Sequence, residues 1–212
     1  MPVVTDEKLG GIVPPPIWPE DGGNGGGSDE RAGSFPLSKG QIGLWVLLTG
    51  IIMLFAGLSS AYIVLRGVPA WQNIALPSLL WPNTAVLILS SVSLELSRRS
   101  VRKNQLESMK RWLGVSAVLG LAFVGGQLAA WRQLVNAGVY LPSTLQSSFF
   151  YILTGLHGIH ILGGIIALGL VLAKALKNQL NAFSHEPLRL CATYWHVIDA
   201  LWIYLFLMLL LS

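Results

Sequence analysis

The chain has 212 residues, of which 53% are hydrophobic and only 11% are charged. Soluble proteins carry roughly a quarter of charged residues, so this composition excludes an ordinary soluble domain. The formal net charge is +4. The basic residues lie beside predicted helix ends, which membrane topology explains better than a nucleic-acid partner does.

Residues 1–38 differ in composition from the rest of the chain and are rich in proline, glycine and acidic residues. Such a segment buries too little apolar surface to offset the entropy of ordering, so we expect a disordered tail. It lacks the basic start and apolar run of a cleaved secretory signal. Docking of the tail on a partner is the alternative interpretation. At its end, Ser38 is predicted to cap the first helix.

Five apolar segments follow within residues 39–212, and each is long enough to cross a hydrocarbon core of about 30 Å as a helix. They are predicted at residues 42–65, 79–97, 112–131, 149–173 and 189–211. The sequence therefore predicts an all-α integral membrane protein, a bundle of five transmembrane helices. It shows no internal inverted repeat of the kind found in many transporters.

The orientation of the chain is predicted from its basic loops. The segments between spans two and three and between spans four and five hold most of the basic residues, namely Arg98, Arg99, Arg102, Lys103, Lys110, Arg111, Lys174, Lys177 and Arg189. The other two loops hold one each, Arg66 and Arg132. Because basic loops face the cytoplasm, the N-terminus is predicted inside and the C-terminus outside. Tryptophans near the span ends suit the headgroup layer, namely Trp71, Trp81, Trp112 and Trp131.

An ionisable side chain within a membrane span needs a partner, because burying an isolated charge in lipid is costly. In span two, Glu95 precedes Arg98 and Arg99 by three and four residues. This spacing favours a salt bridge near the membrane interface over a buried proton carrier.

Span four carries His157 and His160, which lie one helical turn apart on one face. Imidazoles bind metals, so a metal or haem site is one hypothesis. A metal needs at least three ligands, and a histidine pair on one helix cannot clamp a haem from both sides. The sequence has no HExxH or CxxC motif, and Cys191 is the sole cysteine. Hydrogen bonding between helices is therefore the favoured role.

Span five carries His196 and Asp199, also one turn apart, and Trp202 extends the same stripe. The two ionisable groups stabilise each other's charged forms. This arrangement suits either a proton relay or a polar patch closed by a partner protein. We expect spans four and five to face each other or a common partner.

Spans three and four are rich in glycine, which lets helix backbones approach closely in lipid. The glycines predicted to have this role in span four are Gly155, Gly158, Gly163 and Gly164, and span three contributes Gly120, Gly125 and Gly126.

Two stretches, "FFYILTGLHGIHILGGI" and "TYWHVIDALWIYLF", resemble the last two helices of the subunit III family of haem-copper respiratory oxidases, the cytochrome c oxidase type. The motif positions are Thr154, Gly155, His157, Gly158, His160, Tyr194, Trp195, His196, Asp199 and Trp202. Earlier stretches, such as "WPNTAVLILSSVSLE" and "FVGGQLAAW", are similar to the family in the same order. The resemblance covers residues 41–211 and matches the short five-helix bacterial form.

The resemblance implies an accessory subunit of an oxidase that passes electrons from cytochrome c to O2 and translocates protons. It implies that the chain has no catalytic residue, metal, haem or other redox centre of its own. Subunit I would be its direct partner, with subunit II and further subunits in the complex. The chain would support proton uptake and turnover stability and hold phospholipid, in a bacterial cytoplasmic membrane. The polar motif residues would then bond between helices.

One position departs from the family. Many members have a glutamate in the first core helix where this chain has Ile51, so roles of that acid are not carried over. The alternatives are a subunit III-like component of a quinol oxidase or nitric oxide reductase, a small proton-linked transporter, or a haem-binding membrane cytochrome.

Overall fold

The computed structural model describes residues 38–69, 71, 76–177 and 186–211. Across these ranges the regular structure consists of five α-helices. They are α1 (Lys39–Leu65), α2 (Leu80–Arg102), α3 (Leu106–Asn136), α4 (Leu145–Leu176) and α5 (Glu186–Leu210). The predicted all-α class is confirmed. The predicted disordered tail, apart from Ser38, lies outside the described residues.

Four of the five helices, α1, α3, α4 and α5, are long and apolar enough to cross a membrane. This confirms the membrane-protein class. Helix α2 is not among them, because serines, Asn83 and the charged residues from Glu95 onward lower its hydropathy. Its crossing therefore stays a prediction.

Two helix starts are fixed by reciprocal capping. The Ser38 and Thr144 hydroxyls accept bonds from the backbone amides of Gln41 and Ser147, whose side chains accept in return from the cap amides. Such capping boxes satisfy donors that the first helical turn leaves free. The Ser38 hydroxyl also donates to the Glu186 carboxylate, which ties the beginnings of α1 and α5 together.

Helices α2 and α3 form a hairpin with a short connection. Both helices extend beyond the predicted membrane spans, since α2 continues to Arg102 and α3 begins at Leu106. The turn places Asn104 at φ 56°, a left-handed conformation that asparagine tolerates. The helices persist because Val101 and Met109 are fully buried, while most of the basic side chains between them point outward.

Helix α3 ends in a Schellman motif. Gly138 has φ 78°, and its amide donates to the Val135 carbonyl at 3.0 Å. The Val139 amide donates to the Leu134 carbonyl at 2.9 Å. Glycine suits this left-handed position, and the motif turns the chain toward α4.

Helices α2, α3, α4 and α5 pack as a closed ring, each against the next, with α5 returning to α2. Within the described residues, α1 packs only against α4 and α5. One side of α1 is buried, including Ile51, and the other exposes apolar side chains such as Val46 and Met53. The core of the ring contains Phe123, Trp195 and Trp202, all fully buried.

Candidate functional site

The polar residues of α5 meet α2 at Ser91. The Ser91 hydroxyl oxygen lies 3.0 Å from His196 Nδ1, and the same hydroxyl donates to Asp199 Oδ2. One turn separates His196 from Asp199, so a single hydroxyl on the facing helix reaches both. Sequence reasoning had not singled out Ser91.

The contacts continue from His196 toward the end of α2. His196 Nε2 lies 4.0 Å from Glu95 Oε2, and Glu95 is paired with Arg98 at 2.9 Å and Arg99 at 3.5 Å. The His196 and Glu95 side chains are 36% and 35% exposed, whereas Asp199 is 5% exposed. We call Glu95, His196, Ser91 and Asp199 the α2–α5 polar ladder. It leads from a charged helix end to a buried carboxyl.

Trp202 lies one turn beyond Asp199. Its indole Nε1 donates to Thr84 Oγ1 at 3.0 Å, and that hydroxyl donates to the Leu80 carbonyl at 2.8 Å. The ring also packs edge-on against Phe123, with centroids 5.1 Å apart. This end of the α2–α5 contact is therefore aromatic and fully hydrogen-bonded.

The two histidines of α4 contact different helices. The His157 ring packs against Phe123 of α3 and Trp202 of α5, whereas the His160 ring packs against Phe55 of α1. His160 Nδ1 is 2.7 Å from the carbonyl of Leu156, in its own helix. A spacing of three residues rotates two side chains by about 60° around the helix axis, so the two rings reach different neighbouring helices.

Neither ring nitrogen of His157 has a hydrogen-bond partner among the described residues, and the same is true of the Gln127 amide group. Both side chains line a cavity of about 190 Å³ between α3 and α4. The inter-helix bond expected of His157 is thus not seen in this part of the chain.

Spans four and five face each other, as the sequence predicted, but His196 and Asp199 of α5 bond elsewhere. Helices α4 and α5 do pack, and the Tyr194 hydroxyl donates to the His160 carbonyl at 2.9 Å. However, His196 and Asp199 bond to α2. Helical periodicity defines a face but not the helix that covers it, so sequence alone did not identify the partner.

Close helix packing depends on only some of the glycines predicted to have this role. A Cβ at Gly120 or Gly164 would lie 2.8 or 3.1 Å from the Trp195 ring, which fits between α3 and α4. A Cβ at Gly126 would collide with the Asn83 amide. By contrast, Gly155 and Gly163 would make only ordinary contacts, and Gly158 faces open space. Of the four glycines predicted in span four, only Gly164 is at a close contact.

Within the described ranges, no three His, Cys, Asp or Glu side chains lie close enough together to form a candidate metal site. Cys191 is buried and free of any disulfide. The chemistry that this region shows is hydrogen bonding between α2 and α5.

Comparison with known proteins gives a consistent result. The family model for cytochrome c oxidase subunit III matches residues 41–211. A cytochrome c oxidase subunit 3 of Thermostichus vulcanus is 32% identical over 176 residues, which cover 79% of this chain and 85% of that protein. A probable cytochrome c oxidase subunit 3 of Nocardia farcinica is 31% identical, covering 78% and 84%. A cytochrome c oxidase subunit 3 of Synechocystis is 32% identical, covering 79% and 73%.

Proposed function

Because the chain belongs to the cytochrome c oxidase subunit III family, we propose that it is an accessory subunit that binds directly to subunit I of a haem-copper oxidase. The observation that carries this proposal is the family match over residues 41–211, which includes all five helices almost completely. In the complex the chain would stabilise subunit I and support its proton uptake. Subunit II and further subunits would complete the assembly.

The exposed surface of α1 supports a role in an assembly or in lipid. Its outward side carries Trp45, Val46 and Met53, each more than half exposed. Apolar side chains on this scale need lipid or a partner helix around them. In an oxidase complex, the bilayer would supply the lipid and a neighbouring subunit would supply the partner helix.

A groove between α1, α4 and α5 supports phospholipid binding. Its volume is about 490 Å³, and its lining is mainly apolar, including Leu44, Leu47 and Leu170. Lys174 also lines it, near the end of α4. An acyl chain would occupy the apolar part, and the ammonium group of Lys174 would pair with a lipid phosphate.

Lipid binding is tested by native mass spectrometry of the purified protein. A lysine near the membrane surface contributes about 1 kcal/mol to binding an anionic lipid, so Lys174→Ala should lower bound phospholipid about fivefold. Lys177→Ala is the matched control, since Lys177 caps the same helix outside the groove. Equal lipid retention by both variants would count against the groove as the site.

The main proposal is tested by affinity purification in mild detergent through a tag on the N-terminal segment. We expect a larger subunit to co-purify and to show haem bands in the dithionite-reduced spectrum, and these bands to be absent from this chain after separation. An extract with the untagged chain is the control. A haem-free homo-oligomer, together with unchanged oxidase activity after deletion of the chain, would contradict the proposal.

A further inference from the structure

We propose that the α2–α5 polar ladder is a proton-storage site, which takes up a proton at the Glu95 end and holds it on Asp199. The proposal goes beyond the accessory role above, because it concerns residues of this chain alone. It depends on neither subunit I nor a redox reaction.

Asp199 lies deep along its helix. It follows Glu186, the first residue of α5, by 13 positions, which corresponds to roughly 20 Å at 1.5 Å per residue. Its side chain receives one hydrogen bond, from Ser91, while Oδ1 has no partner among the described residues. A carboxylate held by so few donors in a membrane span is costly, and binding a proton removes that cost.

The connection between Asp199 and the helix end is made of groups that both donate and accept. Ser91 can donate to Asp199 Oδ2 while it accepts from His196 Nδ1, or it can accept from a protonated Oδ2 while it donates to Nδ1. Both patterns use the same contacts. The ladder therefore has two hydrogen-bond arrangements that differ by one proton.

Proton uptake interconverts the two arrangements. A proton arriving from water or from the Glu95 carboxyl forms an N–H bond at His196 Nε2. The Nδ1–H bond breaks and its proton passes to Ser91 Oγ, while the original Ser91 proton passes to Asp199 Oδ2. One proton has then moved from the surface to Asp199, and His196 and Ser91 are again neutral.

Charges of both signs lie at the outer end of the ladder: Glu95 attracts a proton toward His196, and Arg98 opposes it. Glu95 is the carboxylate nearest to His196, and its pairing with Arg98 and Arg99 holds it beside the ring. The 4.0 Å gap from Glu95 to Nε2 is closed by a side-chain rotation or by one bridging water. Among the other ionisable groups of the packed helices, Arg189 pairs with Glu186 and Lys110 with Glu107. The His160 ring packs against Phe55 of α1, and the His157 ring packs against Phe123 and Trp202.

The ladder stops at Asp199. The next polar groups along the α2–α5 contact are Trp202 and Thr84. The Trp202 N–H already donates to the Thr84 hydroxyl, and that hydroxyl already donates to the Leu80 carbonyl. No described side chain carries the hydrogen-bonded path from Asp199 to the other end of the bundle. The arrangement therefore suits reversible storage of a proton and not transport across the membrane.

The test is infrared difference spectroscopy of the full chain, purified in mild detergent without other subunits. Titration should produce a protonated-carboxyl C=O band that is lost in Asp199→Asn. On transfer to D2O, the band should shift quickly in the parent protein and roughly tenfold more slowly in Ser91→Ala or His196→Gln. Ser93→Ala is the matched control, because Ser93 bonds only within its own helix, to the Leu89 carbonyl.

Two results would overturn the proposal: no Asp199-dependent band at any pH at which the helices stay folded, or an exchange rate that neither Ser91→Ala nor His196→Gln alters. Circular dichroism of each variant verifies that the bundle is intact. Since the measurement uses the isolated chain, its failure leaves the oxidase assignment untouched, and failure of the co-purification leaves this proposal untouched.

Discussion

Trp202 of α5 donates its indole hydrogen bond to Thr84 of α2 across 3.0 Å, in a fully buried part of the bundle. The bond joins the last helix to the second, which are separated by most of the chain. Together with the Ser91 contacts one helical turn away on α5, it closes the ring of α2, α3, α4 and α5.

Removing the Thr84 hydroxyl should weaken the bundle. In Thr84→Val the shape is kept but the Trp202 N–H is left unpaired, at a cost of about 1–3 kcal/mol in the free energy of unfolding. Unfolding in mixed micelles by added denaturing detergent measures this change. Thr49→Val is the control, since Thr49 is exposed and bonds only to the Trp45 carbonyl of its own helix. A loss no greater than in that control would show that the bond is not stabilising.

The packing of Trp195 between α3 and α4 predicts different results for three glycines of these two helices. Gly164→Ala and Gly120→Ala place a methyl against the ring, and overpacking of this kind costs about 1–3 kcal/mol. Gly158→Ala meets open space and should be neutral or slightly stabilising, since alanine is the better helix former. Thermal unfolding followed by circular dichroism separates the three variants. Equal destabilisation at Gly158 would refute the packing described for Trp195.

The hairpin of α2 and α3 contains a reciprocal serine pair. Ser90 Oγ donates to the Ser116 carbonyl at 3.0 Å, and Ser116 Oγ donates to the Ser90 carbonyl at 3.1 Å. A double-mutant cycle with Ser90→Ala and Ser116→Ala should give a coupling energy of about 0.6 kcal/mol, the mean for such bonds in membranes. Purely additive effects would mean that the two serines act independently.

The topology makes a prediction about labelling in intact cells. Single cysteines introduced at Lys103 and Tyr140, in a Cys191→Ala background, lie in turns at opposite ends of α3. Tyr140→Cys should react with an impermeant maleimide from outside, and Lys103→Cys only after the membrane is opened. The reverse pattern would show that the orientation is opposite to the one derived from the basic loops. Labelling of both sites from one side would mean that α3 does not cross the membrane.

The sequence predicted the number and order of the helices because an apolar run of roughly 20 residues is typical of a membrane-spanning helix and of little else. It gave no sign that α2 and α3 continue beyond the spans to a short turn, because charged residues surround the buried Val101 and Met109. It also missed Ser91, since serine in a membrane helix carries little signal alone.

A stripe of buried residues at spacings of three and four was nevertheless present in α2. Its members are Asn83, Leu87, Ser90, Leu94, Ser97 and Val101. Such a stripe indicates a helix packed on one side, without naming its neighbour.

The position of α1 has a consequence for biosynthesis. It precedes the other four described helices in the chain, yet the described surfaces that receive it belong to α4 and α5. At about 5–20 residues per second, α5 follows α1 by on the order of ten seconds. During that interval α1 is held only by lipid or by an insertion factor. The bond from Ser38 to Glu186 can therefore form only after α5 has begun to emerge.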